Sequence, residues 1–358
     1  MAGFIRDLGY DKTMSNVWYT TREEVLLALN SASDAINARK IDSAIESASR
    51  SVEKLTKRRF YPETKTKLFD YPLHSNSWRL WFDSPEELIS ASAVSSGGVT
   101  ISSNDYFLEP YNYGPPYSRL ELDFASNASF ETTETTQRQI SITGVWGYQY
   151  DTKTVATLAG GINSSVTSIA VSDVSDIGVG SLLKIDNELI QVTDKSWVDS
   201  GQNTSALTAS ANSVSITGIT ASTLKQYETI LIDSERMLVT DVSGTTVTVK
   251  RAMDGSVLAV HALNADIYVL RTLTVIRGFL GTTAATHADL ASVSVFTVPG
   301  PIAELTLAEA LNTFKQRGAG YARTVGTAEG EREATGRSLN DLRKAVRAQY
   351  GRIKVGAV

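Results

Sequence analysis

Apolar residues fall into two rhythms along this chain, and the rhythm changes sharply between segments. Between residues 20 and 60 they recur at helical spacing, with Ile41, Ala44, Ile45, Ala48, Val52 and Leu55 on one face. Thr20 and Thr21 ahead of Glu23 and Glu24 mark a helix start, where side-chain oxygens meet free N–H groups. Burying the larger side chains of the stripe contributes roughly 1.5–3 kcal/mol each, so that helix needs a surface to lie on. From 65 to 148 the signal turns to strands. KTKLFDYP and WRLWFDSP flank the turn-rich LHSNS and predict a hairpin; ELISASAV, DYFLEP, RLELDF and QISITGVWGY predict further strands. Helical spacing returns after the PGP of 299–301, with Ile302, Leu305, Leu307, Ala308, Leu311 and Phe314, and ends near Gly318. The linker GTAEGERE then leads to a last helix over 338–350.

The stretch 151–298 is rich in Val, Ile, Thr, Ser and Gly, and it contains a duplication. LLKIDNELIQVTD (182–194) matches TILIDSERMLVTD (229–241) at an offset of 47, while TVKRAMDGSVLAVHALNADIYV (248–269) matches TVIRGFLGTTAATHADLASVSV (274–295) at an offset of 26. A tandem repeat would keep one offset. Two offsets in the order first half, first half, second half, second half imply nesting. The inner copy, 201–271, sits where the outer copy, 156–194 plus 273–298, should have a short turn like VSGTT (242–246). A hairpin tip is where insertion costs least. By that reasoning, replacing 197–272 with a two-residue Asn-Gly turn should leave a folded protein.

Composition narrows the chemistry. The 358 residues include no cysteine, so disulfides and thiolate chemistry are excluded. The net charge of −5 argues against a general nucleic-acid binder. No apolar run has the length of a membrane span. Three histidines occur, His74, His261 and His287, and the last two hold equivalent positions in the duplicated segments, which a shared fold explains better than catalysis. Asp186-Asn187-Glu188 and Asp233-Ser234-Glu235 carry too few oxygens for a calcium site and read as tight hairpin turns. Neither a Gly-x-Ser-x-Gly elbow nor a phosphate-binding Gly-x-x-x-x-Gly-Lys-Ser/Thr loop is present. The expectation is a protein with no catalytic residues, no cofactor and no metal.

Taken in order, TREEVLLALN, the amphipathic IDSAIESASRSVEKLTKRRFYP, a strand ending FDYP, DSPEELISASAV, NDYFLEP and QISITGVWGY resemble the head–tail connector (adaptor) family of long-tailed phages. In that family the Gly-Tyr strand end runs within a few residues into a proline and a helix. Here that proline is Pro299 or Pro301, followed by IAELTLAEALNTFKQR, with the β modules spliced into the joint. The R-G-x-x-G-T-x-A-x-x-H run from Arg277 to His287 is similar to small β domains of phage tail and neck proteins.

The resemblance implies an α+β fold. A helical connector core with a small antiparallel β portion would comprise 1–150 and 299–358, and would carry two nested all-β insert modules. It implies a ring of about 12 copies below the portal, closed by head-to-tail contacts, joining capsid to tail in the virion. The partners it implies are the portal protein, the next neck or tail-completion protein, and DNA passing through without sequence-specific binding, with no membrane. A neck, collar or baseplate protein, or an adhesive carbohydrate-binding β protein, are the rival readings.

Charge adds candidate contact residues. Residues 331–358 hold seven basic side chains against three acidic ones, and Leu339, Leu342, Val346 and Tyr350 form a narrow apolar stripe among them. This marks Arg337, Leu339, Leu342, Arg343, Lys344, Val346, Arg347 and Tyr350 as candidate portal-docking residues, beside the plain reading of a solvated basic helix resting on its own subunit and that of DNA contact in the channel. Lys54, Lys57, Arg58 and Arg59, in the last turn of the second helix, are candidates for contact with phosphate or an acidic neighbour, beside the plain reading of dipole compensation.

Overall fold

A computed structural model describes residues 17–29, 38–73, 76–82, 87–318 and 338–352. Helix α1 (Arg22–Leu29) opens on a reciprocal cap: Thr21 Oγ1 accepts from the Glu24 N–H at 3.3 Å, and Glu24 Oε2 accepts from the Thr21 N–H at 2.9 Å. In α2 (Ala38–Thr56) the predicted stripe is buried from Ile41 through Val52. Seven strands follow: β1 (Glu63–Phe69), β2 (Arg79–Trp81), β3 (Leu88–Ser96), β4 (Val99–Ile101), β5 (Tyr106–Glu109), β6 (Arg119–Leu122) and β7 (Ile140–Trp146). They form a four-stranded sheet ordered β1-β7-β3-β4 and a three-stranded sheet ordered β2-β6-β5. The hairpin expected around LHSNS does not form, because β1 pairs with β7 over seven residues and β2 pairs with β6. WRLW instead alternates Leu80 inward with Trp81 outward, the pattern of a strand in a second, smaller sheet.

Strands β8 (Thr152–Thr157), β9 (Ser168–Ala170), β10 (Leu182–Ile185), β11 (Glu188–Asn203), β12 (Ser213–Thr217), β13 (Thr229–Ile232), β14 (Glu235–Ser243), β15 (Thr246–Lys250), β16 (Asp266–Ile276) and β17 (Ser292–Phe296) make one antiparallel ten-stranded sheet. Its order is β12-β15-β14-β13-β16-β11-β10-β17-β8, with β9 added beside β16. The ladder repeats itself. The β10–β11 turn pairs Ile185 with Glu188, and the β13–β14 turn pairs Ile232 with Glu235. Asp186 and Asp233 each hold a positive φ there, as a two-residue turn requires. A bulge interrupts the register between Val192 and Asp194, and another between Val239 and Asp241, 47 residues later. The long strands β11 and β16 run through both halves, so the two modules share strands and differ in their cores. One core gathers Leu158, Ile169, Ile190 and Leu273; the other gathers Ile216, Ile230, Val239 and Ile267.

Helices α3 (Gly300–Gly318) and α4 (Leu339–Tyr350) close the chain. Helices α2, α3 and α4 pack against one another as a helical layer. The expected helical connector core is corrected here: strands hold 37% of the described residues and helices 21%. The β sheets carry their own cores. Phe69, Phe82, Leu88, Leu120, Ile142 and Trp146 bury one another between the two small sheets. The helical stripes pack on one another, Ile41, Ile45 and Ala48 with Val25 and Ala310, while Val52, Ile302 and Val346 meet the outer module.

The joint between this body and the outer module is a mixed cluster that includes Val52, Phe60, Tyr61, Leu182, Leu189, Leu280, Phe296, Ile302 and Val346. Two glycines let the surfaces meet. A Cβ on Gly281 (φ +80) would stand 1.9 Å from the Thr64 carbonyl oxygen, and one on Gly180 (φ +97) would stand 2.2 Å from the Trp18 ring. The inner module keeps the backbone at the latter position but not the glycine: the residue 47 later is Tyr227, with φ 69 and 65% exposed. Likewise Leu182 becomes Thr229, Leu189 becomes Arg236, and Leu280 becomes Asp254. The same face is apolar where the body covers it and polar in the inner module, where Tyr227 and Arg236 are exposed.

Candidate assembly surfaces

The most concentrated chemistry in the molecule is a buried network that occurs twice. In the outer module Glu188 accepts from Arg277 Nε and Nη2 (2.8 Å each), from His287 Nε2 (2.9 Å), and from the N–H groups of Gly278 (2.8 Å) and Ala285 (2.9 Å). His287 Nδ1 lies 2.7 Å from Asp186 Oδ2. In the inner module Glu235 accepts from Arg251 Nε (3.0 Å) and Nη2 (2.6 Å), from His261 Nε2 (2.8 Å), and from the N–H groups of Ala252 and Ala259; His261 Nδ1 lies 2.7 Å from Asp233 Oδ2. The guanidiniums also tie in loop carbonyls, Val166 and Ala285 for Arg277, and Thr208 and Ala259 for Arg251. Each network thus clamps a long loop onto its hairpin. These contacts hold Glu188 down to about 2 and lower Glu235 in the same direction against the penalty of burial. Glu188 is 1% exposed and His287 2%, so neither is open to a substrate. Among the described residues, no group of three or more His, Cys, Asp or Glu is arranged to hold a metal ion.

The predicted contact residues at the exit of α2 differ in burial. Arg58 bonds Glu87 at 2.7 Å with its guanidinium 5.0 Å from the Tyr148 ring, and Arg59 reaches Glu63 at 3.5 Å. Burial raises Glu87, so that ion pair is an internal strut. Lys54 and Lys57 are exposed.

At the other end, Arg337 and His74 lie outside the described residues. Helix α4 begins on a Ser338–Asp341 capping box. Its apolar stripe meets this chain's own body. Val346 is 2% exposed, Leu339 and Leu342 pack on the same cluster, and the Tyr350 ring lies 5.9 Å from the rings of Phe60 and Tyr148. Arg343 bonds the buried Glu309 at 2.8 Å. Lys344 and Arg347 face outward. Val346→Ala should therefore lower the stability of the isolated subunit by about 1–3 kcal/mol, measured by urea unfolding. An unchanged midpoint would show that the stripe is not part of the subunit core.

Sequence reasoning missed the outward face of β2-β6-β5. Its rows pair Arg79 with Glu121 and Phe107, and Trp81 with Arg119 and Glu109. Cation and ring alternate along it. The Arg79 guanidinium lies 4.4 Å from the Trp78 ring and 6.0 Å from Trp81, Arg119 lies 5.1 Å from Trp81, and Phe124 meets Trp78 edge-on at 4.7 Å. Glu121 binds both guanidiniums, at 2.7 Å and 2.6 Å. Trp81 is 52% exposed, Phe107 48% and Phe124 77%. The signal available in sequence was Trp-Arg-Leu-Trp, with both polar and aromatic residues at alternate positions. Strand propensity of aromatics hid it.

No family model, curated protein or solved structure matches this chain in comparison with known proteins.

Proposed function

We propose that the chain is a structural protein of a tailed-phage particle, a head–tail connector whose copies form a ring of about twelve below the portal. The observation that carries this reading is the splice geometry. The exit of α2 and the end of β7 lie side by side, with the Tyr148 N–H donating to the Arg59 carbonyl at 2.9 Å. The chain leaves the body at Gln149 and returns at Thr297, where Gln149 Nε2 donates to the Thr297 carbonyl at 2.6 Å and the Thr297 N–H donates to Asp151 at 2.9 Å. Removing everything between would join β7 to α3 directly, the connection of the family that the ends of the chain resemble. The ring would serve as a channel wall and as a docking platform, and the modules would be carried as attachments.

The test is to express the protein with the portal encoded beside it, purify the complex and image it by electron microscopy. A closed ring attached to the portal is the expected result. Isolated copies on the portal, or open filaments, would remove the connector reading.

A further inference from the structure

The charge of this chain is divided between two surfaces that do not belong to the same element. Residues 70–138 contain three arginines against ten carboxylates, a net of −7. Within that segment the outward face of β2-β6-β5 carries Glu109 and Glu121 against Arg79 and Arg119, with Trp81 and Phe107 standing among them, and Asp105 and Asp123 lie directly beyond the strand ends. Asp105 and Asp123 close the face at one end, where the Asp123 N–H donates to the Asp105 carbonyl. Opposite in sign, residues 38–59 carry seven basic side chains against three acidic ones, a net of +4. The helical layer of α2, α3 and α4 exposes Arg39, Lys40, Lys54, Lys315, Lys344 and Arg347, against Glu304 and Asp341.

We infer that the acidic aromatic face of β2-β6-β5 is a docking surface for the basic helical layer of a second copy of this chain. Charge complementarity favours this occupant, since the chain itself supplies a cationic surface of matching kind. The rings favour it too: exposed tryptophan and phenylalanine accept incoming lysine and arginine side chains over their faces, and aromatic residues with arginine are the material of protein–protein hot spots. Nucleic acid is disfavoured by the excess of carboxylates on the face. The contact is heterologous, two different patches on each copy, which is the kind that propagates around a closed ring. The inference rests on the ring reading and names the surfaces that would make the ring.

Two variants test it: Asp105→Lys with Asp123→Lys on the sheet face, and Lys54→Glu with Lys344→Glu and Arg347→Glu on the helical layer. Trp81→Ala serves as a third, uncharged variant. Each is first checked for a wild-type thermal transition, and self-association is then followed by sedimentation. The wild-type chain should associate at low salt and dissociate as salt rises. Each charge variant alone should associate at least tenfold more weakly, Trp81→Ala should also be weakened, and a mixture of the two charge variants should regain association because reversed patches meet. Variants that associate like wild type, or a mixture that stays apart, would overturn the contact. A portal-bound ring built equally well from both charge variants would overturn this contact and leave the ring reading standing. A wild-type chain that stays monomeric both alone and on the portal would overturn both.

Discussion

Glu188→Ala should destabilise the protein by about 3–5 kcal/mol, the cost of leaving a buried charge without its partner. The carboxylate accepts five hydrogen bonds, two of them from Arg277, whose side chain is only 5% exposed. Alanine would strand that guanidinium, the His287 ring and two backbone N–H groups together. Domains of this size are stable by about 5–15 kcal/mol, so the outer module should lose a large part of its stability. The damage should spread to the body, because Leu182, Leu189, Leu280 and Phe296 belong to the shared cluster. Glu235→Ala removes the matching carboxylate from the inner module, whose equivalent face has no such cluster, so body unfolding should stay near wild type. Urea titration combined with limited proteolysis separates the two cases. Equal behaviour of the two variants would mean that the outer network does not hold the joint.

The same carboxylates set an acid response. Glu188 is held at about 2 in the fold against an ordinary value near 4.5, so its contribution is fully present above pH 4.5. It should be lost progressively as pH falls toward 2, amounting to about 3 kcal/mol at 1.36 kcal/mol per pH unit. Glu235 is lowered too and adds loss in the same direction. Glu53 and Glu87 in the body are raised by burial, so their contribution has the opposite sign and is lost as pH rises through their folded values. Acid should therefore open the modules before the body, which proteolysis at pH 3 would detect.

Much of the architecture was legible because period and offset are direct imprints of packing. The stripe of α2 is buried where it was expected, and the two offsets of 47 and 26 fall on Asp186 and Asp233, Glu188 and Glu235, Arg251 and Arg277, His261 and His287. What those four residues do together was not legible. The Asp and Glu of a turn, an Arg and a His lie up to 101 residues apart in the outer copy, and spacing alone cannot say that they meet. The balance of helix and strand was misjudged because helical stripes are long and periodic, whereas β2, β4 and β9 are three residues each. Helix α4 offers several readings in sequence, among them docking on a partner and rest on its own subunit. A stripe of Leu339, Leu342, Val346 and Tyr350 behind a charged linker looks like a free docking helix, and only the presence of Phe60 and Tyr148 beside it shows where it rests.

Excising the inner module should leave a folded protein, and the ladder says where to cut. In the β11–β16 pair Ser196 lies opposite Thr272. Residues 197–271 should therefore be replaced by Asn-Gly, one residue short of the boundary that the sequence suggests, so that the two partners become the flanks of a two-residue turn. Asn-Gly favours the positive φ values such a turn needs. The outer core loses no member, since its buried residues lie between Ala156 and Val192 or at Leu273, Val275 and Val293. Strand β9 keeps its partners Thr272, Leu273 and Thr274. Arg271 and Glu228, bonded to each other at 2.7 and 2.8 Å, leave together, so no buried charge is stranded. The Val174 N–H loses its acceptor on Glu228, and the Val171 N–H must exchange the Arg271 carbonyl for that of the new glycine. One orphaned buried N–H costs about 1–3 kcal/mol, which a domain of this kind can lose and remain folded. The shortened chain should unfold in a single cooperative transition slightly below wild type. It should retain the self-association ascribed to the body, because both docking patches lie outside 197–271. A chain that melts without a transition, or that exposes β10 and β17 to protease, would mean that the inner module is needed to complete the outer sheet.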